Sequence, residues 1–465
     1  MMTAVHLCQS SLLPLKIIVI NSGNPFGRGI AFSPYSRQHL LNVPAGKMSA
    51  FPDQPDHFVN WVLHHNYFTG LTDKALIAGS YLPRAFYGDY LEDVWREAMA
   101  TKSQLVEVEV VSEYADKIEQ REDGYFIFFK NSHVHCHFVV LATGNSVPAY
   151  PIPNATPIAS AKYFGSPWSA LSVSAEGGFK QDVLIVGNGL TMVDTVLGLM
   201  EKGFSNTIYS ISPDGFSILS HRHGGQPYLK MQDDIKQLSH PYKLLEIVSL
   251  FRKHIKLVRK LGLSAEPVVD ALRPFTQEIW KALSKVEKAT FLSRLRHLWG
   301  VARHRLPIHV HDVIQKLRLD NKLKVYSGII KQISKKDDLV SVTFYDKRAK
   351  TQVSISVDRV INCTGPATDI HDSDNLFLKN LWKQGLIRMD ELKLGLEINT
   401  DTFRVINREG MEVKNIYALG GLVKGMFWES TAVPELRLQA KKISTDMMNQ
   451  ISRKSGRSAA EVSLI

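Results

Sequence analysis

Cysteine is scarce in this sequence: Cys8, Cys136 and Cys363 are the three in 465 residues. Odd in number and far apart, they form neither a disulfide framework nor a CxxC pair, and they fit a reducing, cytoplasmic setting. Long hydrophobic runs are also missing. The nearest, LLPLKIIVI, is about nine residues with a lysine inside it, well short of the ~18–20 that span a bilayer. No stable membrane anchor is therefore expected. The opening MMTAVHLCQSS has no basic stretch and no cleavage motif, so no secretory signal is expected there. A P-loop lysine, a GxSxG elbow, an HExxH pair and a kinase signature are all absent, which removes the chemistries those motifs carry.

What is present is ordinary globular composition, 44% hydrophobic and 22% charged. That excludes a disordered or collagen-like chain, and the length suits two to four domains. Lys+Arg exceed Asp+Glu by 56 − 45 = 11. Such an excess favours anionic small partners such as nucleotides, and by itself makes no case for nucleic acid.

The clearest local pattern lies mid-chain. After Asp182 comes VLIVG, then Gly187-Asn188-Gly189-Leu190-Thr191-Met192, the helical run MVDTVLGLM, Gly203 and a second strand, TIYSIS. Strand, glycine turn, helix and strand form the context in which a GxG match has meaning. Gly187 permits the tight turn and Gly189 a close approach of backbone to a pyrophosphate. Leu190 and Thr191 open the helix whose N-terminus faces it. Met192 stands where the third glycine would be, so helix and strand should pack slightly further apart. The alternative is a structural βα turn without a ligand.

The N-terminus reads as the same unit without its front. MMTAVHLCQSSL has apolar residues at helical spacing, KIIVI is a buried strand ending at Asn21, and Gly27-Arg28-Gly29 follows. The strand and glycine loop expected before such a helix are not in the chain. The expectation is therefore an incomplete fold, with KIIVI exposed on a sheet edge and the first helix uncapped at Met1-Met2-Thr3. Either a start upstream or a decayed 5′ end would account for it.

GRGIAFSPYSRQHLLNVPAGKMSAFPDQPDHFVNWV (27–62), LATGN (141–145), VLIVGNGLTMVD (183–194), LRPFTQEIW (272–280), VARHRLP (301–307), VINCTGP (360–366) and YALGGLVKGMFWESTAVPELRLQA (417–440) are collinear over most of the chain. Together they resemble the bacterial FAD/NAD(P)-binding oxidoreductases with an NAD_binding_9-type N-terminal domain, distant relatives of class B flavin monooxygenases. The resemblance implies an α/β, Rossmann-like flavoprotein with two dinucleotide-binding domains and a helical insertion. It places an FAD domain at 1–150 and 355–465, and an NAD(P) domain at 151–354 with the insertion at about 227–320. The implied cofactors are FAD and NAD(P)H, and the implied flavin-side residues are Asn21, Gly27, Arg28, Gly29, Asn42, Met48 and Ser49. Thr143, Gly144 and Gly365 fall at interdomain crossovers, and Gly420, Gly421 and Trp428 at the strand–helix junction against the flavin. Three departures stand out. The first glycine loop is missing, Asn21 replaces an acid, and Ser212-Pro213-Asp214 stands where an arginine-bearing turn often selects NADPH, although His221 and Arg222 are near in sequence.

The implied activity is NAD(P)H-driven flavin reduction followed by oxygenation of a small nucleophile. A reductase or dehydrogenase without oxygenation is the second reading, and a non-enzymatic nucleotide-binding protein the third. Catalytic residues, substrate and oligomeric state are not legible. In the insertion, LLEIVSLFRKHIKLVRKLGL reads as a basic amphipathic helix stopped by Gly262, with Phe291, Leu295 and Trp299 as core. Arg273, Arg303, His304 and Arg305 could line a pocket for an anionic substrate, or form a solvated face. Cys363 reads as a small core residue. His133, His135 and His137 alternate on one strand without an acidic or Cys ligand of suitable spacing, so no metal is expected.

Overall fold

The computed structural model describes residues 1–22, 26–65, 73–130, 132–174, 182–222, 227–455 and 460–464. Helix α1 (Met2–Ser10) buries Ala4, Leu7 and Cys8, has no side-chain cap, and leads into β1 (Leu15–Ile20), the KIIVI strand. Helices α2 (His57–His64), α3 (Lys74–Gly79) and α4 (Arg84–Thr101) precede β2 (Val106–Val111). A small antiparallel sheet of β3 (Lys117–Arg121), β4 (Gly124–Phe129) and β5 (Ser132–Cys136) then gives way to the fully buried β6 (Phe138–Leu141).

The next stretch holds β7 (Tyr163–Phe164), β8 (Val183–Val186), α5 (Leu190–Glu201) and β9 (Ile208–Ser212). A helical run follows: α6 (Leu229–Lys236), α7 (Leu244–Lys260), α8 (Glu266–Leu272), α9 (Thr276–Ala282), α10 (Lys285–Arg294), α11 (Arg296–Arg303) and α12 (Ile308–Leu319). Strands β10 (Leu323–Lys336), β11 (Leu339–Asp346), β12 (Thr351–Val357) and β13 (Arg359–Asn362) close this part. The chain ends with α13 (Leu376–Lys383), β14 (Arg404–Ile406), β15 (Glu412–Ala418), α14 (Val433–Ser455) and β16 (Ala460–Leu464).

Two compact units result. The first comprises Met1–Pro34, Val43–Ser146 and Ala367–Ile465; the second comprises Tyr35–Asn42 and Val147–Pro366. The boundaries differ from the expected partition in two ways. The return to the first unit comes after 366 rather than 354, because β13 pairs in parallel with β8 and β7. Residues 35–42 leave the first unit altogether: the buried His39 bonds the Asp194 carbonyl on α5 at 2.9 Å. Gly198 makes room for Tyr35, whose ring would lie 2.6 Å from a Cβ there.

The sheet of the second unit runs β12-β11-β10-β9-β8-β13-β7, parallel from β10 to β7 with an antiparallel hairpin at the other edge. Strands buried on both faces need apolar runs such as Val183–Val186. The sheet of the first unit runs β14-β15-β6-β16-β1-β2. Here the expected exposed edge is corrected. Strand β1 pairs on one side with β2 and on the other with β16, Leu15 opposite Ala460 through Val19 opposite Leu464. Strand β16 also pairs with β6, Val462 opposite Phe138. An empty slot there would leave two rows of backbone N–H and C=O groups unpaired in the middle of a sheet, and an extended segment of this chain satisfies both.

In the insertion α7 stops as expected, with Gly262 at φ 72°. Phe291, Leu295 and Trp299 are only half-buried, however, so the expected core stripe is a partly open face; neither α10 nor α11 has a buried residue. Among the described residues, no helix is long and apolar enough to cross a membrane.

Candidate functional site

In the second unit the glycine turn sits between β8 and α5. Gly187 has φ 109°, and a Cβ there would lie 2.5 Å from the Cys363 carbonyl oxygen, because the segment after β13 runs alongside. Only glycine fits. Gly189 has an ordinary φ of −94° and open space where a side chain would go. It caps α5, which starts at Leu190 and Thr191 without a side-chain cap. The turn is held from below: Ser210 Oγ donates to the Gly187 carbonyl at 2.9 Å, and the Asn188 amide donates to the Phe216 carbonyl in the loop after β9. Met192 is buried in the core, and Thr195 makes the nearby contact to the strand side, 3.4 Å from Cys363 Sγ. Burial pushes the Cys363 thiol up to about 12, consistent with a core residue and unsuited to thiolate chemistry.

In the first unit, several sequence candidates meet at the ends of β6 and β15. Gly144 has φ 73°, with open space at its Cβ position. A Cβ on Gly421 would lie 2.4 Å from Asn145 Oδ1, so the two segments touch. Gly420, at φ 71°, is pinned to α14. Its N–H donates to Gln439 Oε1 at 2.8 Å and its carbonyl accepts from Ser430 Oγ at 2.7 Å. Gln439 Nε2 closes the ring on the Ser430 carbonyl at 3.0 Å. A fully satisfied buried network of this kind fixes one loop shape. Arg437 reaches the Ser49 carbonyl at 3.0 Å, while its buried Nε has no hydrogen-bond partner among the described residues. Ser49 is itself buried and turns its own loop, donating to the Gln54 carbonyl at 2.6 Å.

Ser430, Arg437 and Gln439 were not anticipated. Gln439 beside Leu438 and Ala440, in a helix whose start Pro434 marks, was the available signal, but its partners lie in a loop that periodicity does not reach. Met48 and Trp428 are buried, the latter with Lys424 Nζ 5.4 Å from its ring centre. Asn21 ends β1 with its N–H on the Val111 carbonyl, and Thr143 is half-buried. Gly27 and Gly29 have φ 87° and 59°, and Gly365 has φ 93° with open space around it.

Other expected residues are placed differently. Arg28 does not stand open toward a ligand; it donates to Glu92 at 2.5 and 2.9 Å and to Asp89, both on α4. The Arg28 guanidinium holds the Glu92 carboxyl below its ordinary range. Asn42 lies in the second unit, where its backbone bonds His221. Arg305 is buried, clamped to Asp270 at 3.1 Å and to the carbonyls of Ala302 and Glu266. It ties α8 to α11 rather than facing a substrate. Arg273 and Arg303 are half-buried and His304 is exposed. His133 and His135 pack near the Phe126 ring, and among the described residues no group of three or more His, Cys, Asp or Glu could hold a metal ion.

Comparison with known proteins bears on the fold. Residues 1–146 match the FAD-NAD(P)-binding family, NAD_binding_9. No curated protein matches in sequence. Among solved structures, the ornithine N-hydroxylase of Kutzneria sp. 744 is similar with a TM-score of 0.64 at 14% identity, over 97% of this chain and 96% of that one. The L-lysine 6-monooxygenase of Pseudomonas syringae gives 0.61 at 15% identity, over 94% and 99%. The cadaverine monooxygenase of Erwinia amylovora, solved with FAD, gives 0.60 at 10% identity, over 97% and 92%. The whole chain thus has the fold of flavoproteins with two dinucleotide-binding domains.

Proposed function

We propose that this chain is an FAD-dependent, NAD(P)H-using oxidoreductase that hydroxylates a small amine in the cytoplasm. The observation that carries this is the likeness to three amine monooxygenases along nearly the full length of every chain. The overall reaction would be amine + O2 + NAD(P)H + H+ giving hydroxylamine, water and NAD(P)+.

The residues present suit both cofactors. In the first unit, Gly144, Gly420 and Gly421 allow backbone to approach a flavin, and Arg437 Nε on α14, without a hydrogen-bond partner among the described residues, offers a cationic donor. In the second unit, Gly189 leaves the space a pyrophosphate needs at the start of α5. When bound, the flavin supplies two-electron transfer from the nicotinamide and activation of O2. The chain's own part is to bind, to orient and to exclude water. The Ser430–Gln439 ring holds the 420–430 turn in one shape, and Trp428 and Met48 are buried in the same unit.

The test is a spectrum followed by oxygen uptake. Flavin absorbance bleached by NADH or NADPH, with O2 consumed and hydroxylamine formed once ornithine, lysine or cadaverine is added, is the expected result. Purified protein without flavin, or one that consumes O2 at the same rate with and without any amine, would sink the reading.

A further inference from the structure

The loop after β9 carries an acid at the place where a Rossmann unit reads the adenosine ribose. Asp214 follows the glycine turn by some twenty-five residues and lies two past the last residue of β9. The loop is rigid. Gly215, at φ 61°, donates to Ser212 Oγ at 3.0 Å, and a Cβ on it would lie 3.0 Å from Ser327. The Pro213 carbonyl accepts from Ser327 Oγ at 3.1 Å and Lys347 Nζ at 2.7 Å. The Asn188 amide, in the glycine turn itself, bonds Phe216 and so fastens the loop to the turn.

Asp214 is held in turn by the helical insertion. His297 Nδ1 lies 2.5 Å from Asp214 Oδ2, and Arg296 Nη2 lies 3.0 Å from His297 Nε2. Arginine can only donate, so His297 accepts on Nε2 and donates from Nδ1, bridging Arg296 to the carboxylate. One carboxylate oxygen is thereby fixed, and the other is left to accept from a vicinal diol. Three cations around the loop each donate to another group. Lys347 is on the Pro213 carbonyl, Arg318 Nη1 on Ser217 Oγ at 2.5 Å, and Arg296 on His297.

Resting on the proposed use of a nicotinamide dinucleotide, we infer that Asp214, positioned by His297, makes this chain select a free ribose 2′-hydroxyl over a 2′-phosphate, and so NADH over NADPH. A fixed carboxylate accepts hydrogen bonds from the diol and repels a phosphate dianion in the same place.

Titration calorimetry on the full-length protein with ADP-ribose and 2′-phospho-ADP-ribose reads this without turnover. ADP-ribose should bind at least about tenfold more tightly, the scale that like-charge juxtaposition sets. Asp214→Asn should bring the two affinities within about threefold by removing the repulsion. His297→Ala should keep the order but loosen ADP-ribose by a few fold, since the acid stays and its anchoring goes. Equal binding of the two fragments by the unmutated protein, or an unchanged ratio in Asp214→Asn, overturns the inference alone. Failure to bind either fragment overturns the nicotinamide half of the proposed function and this inference with it.

Discussion

Two strand–turn–helix units stand in this molecule, and they are put together in different ways. In the second unit β8, the Gly187–Gly189 turn, α5 and β9 follow one another along the chain, and β8 pairs directly with β9. In the first unit α1 and β1 come first, and the strand between β1 and β6 is β16, more than 400 residues later. The β8–β9 pair joins neighbours in sequence, whereas β16 joins β1 across most of the sequence. A slot between two parallel strands is defined by its backbone rows, so segments distant in sequence can fill it. The loop-closure cost grows only slowly with separation.

The largest effect should come from removing that late strand. Deleting 460–465 strips one of two partners from both β1 and β6, and should cost the first unit about 5 kcal/mol or more at roughly 1 kcal/mol per lost hydrogen bond. Denaturant unfolding should then resolve an early transition for the first unit while the second unfolds as before. A single unshifted transition would mean that β16 contributes nothing. In the second unit the matching blow is Gly187→Val, which sets a branched side chain against the Cys363 carbonyl at positive φ and should cost about 2–4 kcal/mol.

Acid sharpens the contrast from the other side. Burial, with help from Lys441, lowers the pKa of His6 on α1 to about 4. Unfolded, His6 takes a proton near its ordinary value, so its contribution is full above about pH 6.5 and is lost as pH falls toward 4. The first unit should lose about 1–3 kcal/mol across that window, less wherever water reaches the ring, and His6→Gln should flatten the pH profile of its melting temperature. Arg28→Ala should cost about 1–2 kcal/mol, because the pairs with Glu92 and Asp89 are part-exposed. If flavin content stays full in that variant, Arg28 holds the loop and not the cofactor. Gly189→Val should change stability least, by under about 1 kcal/mol at a helix cap, yet weaken dinucleotide binding. Unchanged ADP-ribose affinity there would remove the pyrophosphate from that turn.

Much of the scaffold was legible because it is local. KIIVI, VLIVG and TIYSIS carry the apolar runs of buried parallel strands, and Gly262 carries the stop of α7. Gly187 was legible as a turn glycine, although the reason it is obligatory, the Cys363 carbonyl, lies 176 positions away (363 − 187). The failures share that property. Nothing near AEVSL says that it pairs with β1, and nothing near Arg28 says that α4 will present Glu92 and Asp89. The helical period of 285–303 is real but does not reveal whether another layer covers it, so by period alone Phe291, Leu295 and Trp299 read as core. The Ser430–Gln439 ring escaped for the same reason: polar pairs across a loop leave no periodic trace.

The excursion of residues 35–42 bears on how such a protein can be recombined. A segment exchange that moved 147–366 as one contiguous cassette would leave behind Tyr35, seated on Gly198, and His39, bonded to the Asp194 carbonyl. The transplanted α5 would carry a bare patch, and an incoming cassette would have to fit the old tyrosine. Shuffling between homologous chains should therefore succeed only when these eight residues travel with the larger piece, as two crossovers inside the first fifth of the sequence.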